Sequence, residues 1–196
     1  MKNIEVHFIN KQKAFTLVEV LIVIVLIGIL SSVAIPSYRS FVFTNRIAAY
    51  TNSLHGALLL ARSEAIKRGL PVVICRSTNS ETATPSCTAG SNAASNTGWG
   101  GGWIIFADVN NDGLYQGTDT LIRVQGAIIA NLAGGSIIPS PVTDAIVFGA
   151  TGQTIGAFMN LKINRPTADS TASHDRYICI AVGGRARVST SACTIS

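Results

Sequence analysis

From Phe15 to Ile35 the chain is apolar at nearly every position, with Glu19 as its single charged side chain. At about 1.5 Å of helical rise per residue, about 20 such residues span a hydrocarbon layer of about 30 Å. Pro36 follows, and because it lacks an N–H it is expected to bend or break a helix there. Beyond it the pattern turns amphipathic. Ile47, Tyr50, Leu54, Leu58, Ala61 and Ala65 recur at three- and four-residue steps, while Arg46, Asn52, Arg62, Lys67 and Arg68 fall largely off that stripe. Lys67 and Arg68 suit a helix C-terminus, Gly69 supplies a stop, and Pro71 prevents resumption. The spacing predicts one long helix over about residues 15–68.

After Gly69 the period shortens. Val72, Val73 and Ile74 are β-branched and place a first strand at 70–76. Residues 77–98 are rich in Ser, Thr, Asn and Gly and read as a loop, pinned at Cys87. Strands are predicted at 103–109 and 120–125 around a turn at Asn110-Asn111-Asp112-Gly113. Others are predicted at 127–132, 145–149, 155–164, 176–182 and 185–190. With no repeat and no second boundary, the apolar helix face must pack on the sheet. The fold class is α+β: a long N-terminal helix packed on an antiparallel β-sheet domain.

Composition sharpens the placement of charge more than its total. The formal net charge is +5. Lys2, Lys11 and Lys13 precede the apolar run, so the short N-terminal side stays cytoplasmic and the remainder crosses. Past Pro36 there are 12 Arg and Lys against 8 acids, and residues 162–196 alone hold Lys162, Arg165, Arg176, Arg185 and Arg187 against Asp169 and Asp175. All four cysteines follow the apolar run, where an extracytoplasmic domain favours disulfides. Three pairings are open, and the sequence-local one, Cys75–Cys87 with Cys179–Cys193, is the expected set. No Cys-x-x-Cys spacing or His cluster accompanies them, so no metal site is expected.

The apolar run admits three readings. A cleaved secretory signal has a shorter apolar region, although Ser32-Val33-Ala34 offers a small-residue site. A plain anchor leaves Glu19 unexplained, because an ionised carboxylate in the bilayer costs a few kcal/mol. The third reading accounts for more: Ala14-Phe15-Thr16-Leu17-Val18-Glu19 resembles the processing site of type IV prepilins. The resemblance implies that a prepilin peptidase cuts between Ala14 and Phe15 and that the new amino terminus is methylated. Glu19 becomes the fifth mature residue, where that family carries Glu; Gly28 and Pro36 also fall where its members often have Gly and Pro. Ala14 departs from the usual Gly before the cut.

The amino group freed at Phe15 gives Glu19 a cationic partner, and in that family this pairing is implicated in joining neighbouring subunits during assembly. A Glu19 that merely snorkels to the headgroups is the alternative. The implied organisation is a leader at 1–14, a transmembrane and assembly half-helix at 15–36, an amphipathic half at 37–68 and a β-rich domain at 69–196. The expected location is the inner membrane, single-pass with a periplasmic C-terminal domain, and afterwards the pilus.

Gly98-Trp99, the run Gly102-Trp103-Ile104-Ile105-Phe106-Ala107-Asp108, Asp112-Gly113 and Asp119-Thr120-Leu121-Ile122-Arg123 resemble the GspH/FimT group of minor pilins and pseudopilins. Trp99 and Trp103 read as packing residues rather than ligand platforms. Asp108-x-Asn110-x-Asp112-Gly113 with Asp119 matches the front of a calcium loop, but the same residues serve a hairpin turn, and no flanking helix pair is predicted. Catalysis finds no constellation. Beyond His7 in the leader there are only His55 and His174, neither beside a nucleophile motif, and Gly98–Gly102 lacks the Gly-Lys-Ser/Thr of a phosphate loop. No cofactor is expected.

The remaining signal is Gly183-Gly184-Arg185-Ala186-Arg187. Two arginines two residues apart share one face of a strand, where guanidiniums grip adjacent phosphates. Gly184 allows an exposing turn, and Lys162, Arg165 and Arg176 lie nearby in sequence. Together they form a candidate patch for double-stranded DNA; the alternative is a solvated strand end. The Gly-Arg-x-Arg pattern also resembles a C-terminal motif of FimT-type minor pilins, implicated in DNA binding during natural transformation. The reading is therefore a FimT-like minor pilin whose partners are DNA, other major and minor pilins, the prepilin peptidase and inner-membrane lipid. Its rivals are a minor pilin that only primes assembly and a type II secretion pseudopilin.

Overall fold

The structure, a computed structural model, describes residues 15–90, 97–168 and 174–193. Two units divide between Ser40 and Phe41. Helix α1, Leu17–Arg68, begins in the first and ends in the second.

In the first unit Thr16 and Glu19 close the helix start reciprocally. The Glu19 backbone N–H donates to Thr16 Oγ1 at 3.2 Å, and Glu19 Oε2 accepts from the Thr16 N–H and hydroxyl, each at 2.9 Å. This is a capping box, which satisfies donors that the first turn otherwise leaves free. Every residue from Phe15 to Leu30 is exposed within the chain, and the best 18-residue window of α1 has a mean hydropathy of 2.8. The segment is long and apolar enough to cross a membrane. Pro36 does not break α1, contrary to the stronger form of the expectation. It removes only the one bond to the Ser32 carbonyl, and the turns on both sides continue.

In the second unit the predicted stripe is the buried face. Ile47, Thr51, Leu54, Ala57, Leu58, Ala61 and Ala65 are buried, and the Thr51 hydroxyl donates back to the Ile47 carbonyl at 2.7 Å. Near the helix end the Glu64 carboxylate bridges Arg68 at 2.7 Å and Lys67 at 3.4 Å; the Arg68 hydrogen bond holds its carboxyl below the ordinary range. Gly69 then turns left-handed at φ 64° while its N–H still reaches the Ala65 carbonyl.

The strands are β1 Val72–Arg76, β2 Trp103–Ala107, β3 Thr120–Gln125, β4 Ser136–Ser140, β5 Ala145–Phe148, β6 Thr154–Ile155, β7 Met159–Asn164, β8 Arg176–Ile180 and β9 Ala186–Ser189. They form two antiparallel sheets, ordered β3-β2-β1-β5-β6 and β4-β7-β8-β9. One core lies between the helix and both sheets, joining Leu54, Leu58 and Ala61 to Ile74, Trp103 and Phe148 and to Leu161, Ile178 and Ile180. Strand β1 is buried on both sides, because Val73, Cys75, Ile104 and Phe106 make a second cluster beneath Cys87 and Tyr115. The Cys75–Cys87 and Cys179–Cys193 disulfides are both present, with sequence separations of 12 and 14. Loops of that size are each stabilised by about 3 kcal/mol.

Two strand assignments need correction. No strand forms at 127–132: the Ile128 and Ile129 N–H groups both donate to the Gly100 carbonyl, and Ile129 packs over Gly100. A strand that was not expected, β4, forms instead at Ser136–Ser140, and its Pro139 is tolerated because β4 is a sheet edge. The stretch 155–164 is two strands, split at Gly156, with β6 in one sheet and β7 in the other. At this end the sheets are tied together. The Thr154 N–H donates to the Val182 carbonyl at 3.0 Å, and its hydroxyl lies 3.1 Å from the Ala181 and Val182 carbonyls.

Candidate functional site

The Gly-Arg-x-Arg motif occupies the turn from β8 into the edge strand β9. The turn is closed by the Gly184 N–H donating to the Ala181 carbonyl at 2.8 Å and the Ala181 N–H donating to the Arg185 carbonyl at 3.0 Å. Gly184 has φ 76°, and a Cβ there would collide with the carbonyl of Gly152, which ends a second turn beside it. Both conditions demand glycine. Gly184→Ala is expected to cost about 1–2 kcal/mol for the left-handed backbone and about 1–3 kcal/mol more for the overlap, read as a lowered melting temperature.

Register decides where the arginines point. Ala186 pairs with Ile180 and packs on the core, so Arg185 and Arg187, one residue to each side, face away from it. Both are exposed, and neither has an ion-pair partner among the described residues. From the helix, His55 Nε2 donates to the Ala186 carbonyl at 3.3 Å, which fixes the peptide between them and requires the proton on Nε2. Arg187 lies directly opposite Cys179, so the Cys179–Cys193 disulfide brings Cys193 to the same outer face.

The other three basic residues do not join this pair. Asp175 is buried at the far end of β8, about 14 Å of strand away. Its Oδ2 takes Lys162 Nζ at 3.2 Å and Arg165 Nη1 at 3.3 Å, while its Oδ1 accepts the Arg165 N–H at 3.0 Å. Arg176 donates to the Asp175 carbonyl at 2.9 Å and pairs with the core-facing Ile163, so it belongs to the opposite face of the sheet from Arg187. Of these three, only Lys162 shares the outer face with Arg187. Buried Asp175 therefore already engages part of the charge that the sequence placed in one patch.

Asp108 is buried, and its two carboxylate oxygens accept the Asp112 and Gly113 N–H groups, while Asp119 accepts those of Val109 and Gln116. These carboxylates stitch the β2–β3 loop together. No group of three or more His, Cys, Asp or Glu placed to hold a metal ion occurs among the described residues. Trp99 and Trp103 are buried packing residues, and the Trp99 indole donates to the Thr143 carbonyl at 3.0 Å. Arg76, unremarked in the sequence, is buried and holds its own loop through the carbonyls of Thr88, Ala89 and Gly98. Phe15 and Glu19 lie at the exposed helix start; Ala14 lies outside the described residues.

Residues 9–35 match the prokaryotic N-terminal methylation motif. A fimbrial protein of Pseudomonas aeruginosa is 37% identical over 62 residues, which are 32% of this chain and 40% of that protein; the alpha-pilin of Moraxella bovis is 40% identical over 45 residues, 23% of this chain and 28% of that one. The chain thus spans well under half the length of these curated relatives. A crystal structure of the type IV minor pilin FimU from Pseudomonas aeruginosa superposes with a TM-score of 0.55 at 17% identity, covering 76% of this chain and 92% of that one, which establishes the shared fold. The model described as type II transport protein GspH matches residues 50–184, well over half of the chain, and the protein is accordingly a member of the GspH family with a pilin-like fold and a methylation-type apolar N-terminus.

Proposed function

We propose that this GspH-family chain is a FimT-like minor pilin of a type IV pilus, and that it binds double-stranded DNA without sequence preference during uptake for natural transformation. On this reading the prepilin peptidase removes residues 1–14, Phe15 is methylated, and the β-rich domain reaches the periplasm and then the pilus. The observation that carries the DNA step is the pair Arg185 and Arg187: exposed, on one face, without an ion-pair partner among the described residues, on a turn held by Gly184 and His55. Unpaired guanidiniums are free to bind phosphate bidentately. No base-reading helix accompanies them, and phosphate contacts carry no sequence code.

The test is fluorescence anisotropy with the full chain in a neutral detergent and labelled duplexes of unrelated sequence. Binding is expected at about 10⁻⁴–10⁻⁶ M near physiological salt, equal across sequences. The log–log slope of affinity on salt should be about −2 to −3, since two or three phosphates are neutralised at about −0.9 each. A chain that binds no duplex at low salt would favour the pilin that only primes assembly.

A further inference from the structure

Beneath the Gly-Arg-x-Arg turn sits a third arginine that the motif does not include. We infer that Arg62 of α1 is a phosphate-contacting residue of the same site, so that the DNA-binding surface runs from the edge strand onto the helix; this rests on the DNA-binding reading above. Arg62 Nε lies 3.3 Å from the positions a Cβ would occupy at both Gly152 and Gly184. The Arg62 Nε therefore lies against both turns, beside the glycine that precedes Arg185. His55 is seven residues earlier on the same helix face and bonds to the Ala186 carbonyl, so that face runs along residues 184–186.

Arg62 Nε is buried and has no hydrogen-bond partner, and the side chain makes no ion pair among the described residues. The nearby helix acid, Glu64, is already committed to Lys67 and Arg68. A half-buried guanidinium without a counter-charge is costly, and an arriving anion removes that cost. Arg62 thus adds an unpaired cation on the helix side of the turn whose outer side carries Arg185 and Arg187, whereas the Lys162 and Arg165 charges meet a carboxylate. A duplex backbone, with its closely spaced phosphates, is a polyanion that can meet both sides of one sheet edge.

The full chain in neutral detergent is titrated with a labelled duplex across a salt series, comparing wild type with Arg62→Gln, Arg62→Lys and the double variant Arg185→Gln/Arg187→Gln. Each is measured well below its own melting temperature. Arg62→Gln should lower affinity roughly tenfold at about 50 mM salt and make the slope shallower by about 0.9, while Arg62→Lys keeps the wild-type slope. If Arg62→Gln keeps the wild-type slope while the double variant loses binding, the inference is wrong and the DNA reading stands. If both Arg62 variants weaken binding equally without changing the slope, Arg62 only supports the turn, and the inference is again wrong. If the wild type binds no duplex, both fall together.

Discussion

Glu19→Ala should leave the chain in the membrane and nearly abolish its entry into filaments. The carboxylate sits in the first turn of α1, bonded to the Thr16 N–H and hydroxyl, on a segment otherwise apolar and uncovered. Losing the capping box frees only donors at the helix start, too little to disturb a segment of this hydropathy. On the proposed processing, Glu19 would also be the partner of the cationic amino terminus freed at Phe15. Removing one member of a buried charge pair leaves the other uncompensated, so on the proposed pairing incorporation should fall by roughly a hundredfold or more. The check is to compare the variant in sheared filaments with that in the membrane fraction, and to record the intact mass of the wild type, which should begin at Phe15. Normal incorporation of Glu19→Ala, or a mature chain starting elsewhere, would remove the pairing argument.

What was readable in the sequence was whatever depends on local period and spacing. The apolar run, the stripe from Ile47 to Ala65 and the Gly69 stop are repeats of one helix geometry, and all appear where expected. The two disulfides followed from short separations. The run Ala127 to Leu132 misled because β-branched residues favour a strand only if a partner strand accepts their amides. Here a Gly100 carbonyl takes two of those amides instead. Conversely, Ser136–Ser140 carries a proline that argues against a strand, and only its edge position makes it acceptable.

The candidate site divides along the same line. Arg185 and Arg187 share a face because strands have a period of two, which sequence alone supplies. The roles of Asp175, His55 and Arg62 depend on chain segments ten to well over a hundred residues apart, and no local pattern carries that. The Thr16-x-x-Glu19 box is a capping signature that local spacing alone supplies.

The central claim is that the two exposed arginines grip DNA, and Arg185→Gln with Arg187→Gln tests it. Both side chains project from a turn whose shape is set by Gly184, Gly152 and the His55 bond rather than by the arginines themselves. Exposed charges without partners contribute little to stability, so the variant should melt like wild type. Binding should respond strongly: losing two contacts at about −0.9 each corresponds to a loss on the order of a hundredfold at about 50 mM salt. The decisive measurement is the affinity of the full-length double variant for a labelled duplex at that salt, beside wild type. The account predicts a loss of that order with an unchanged melting temperature, and a double variant that binds as tightly as wild type would contradict it.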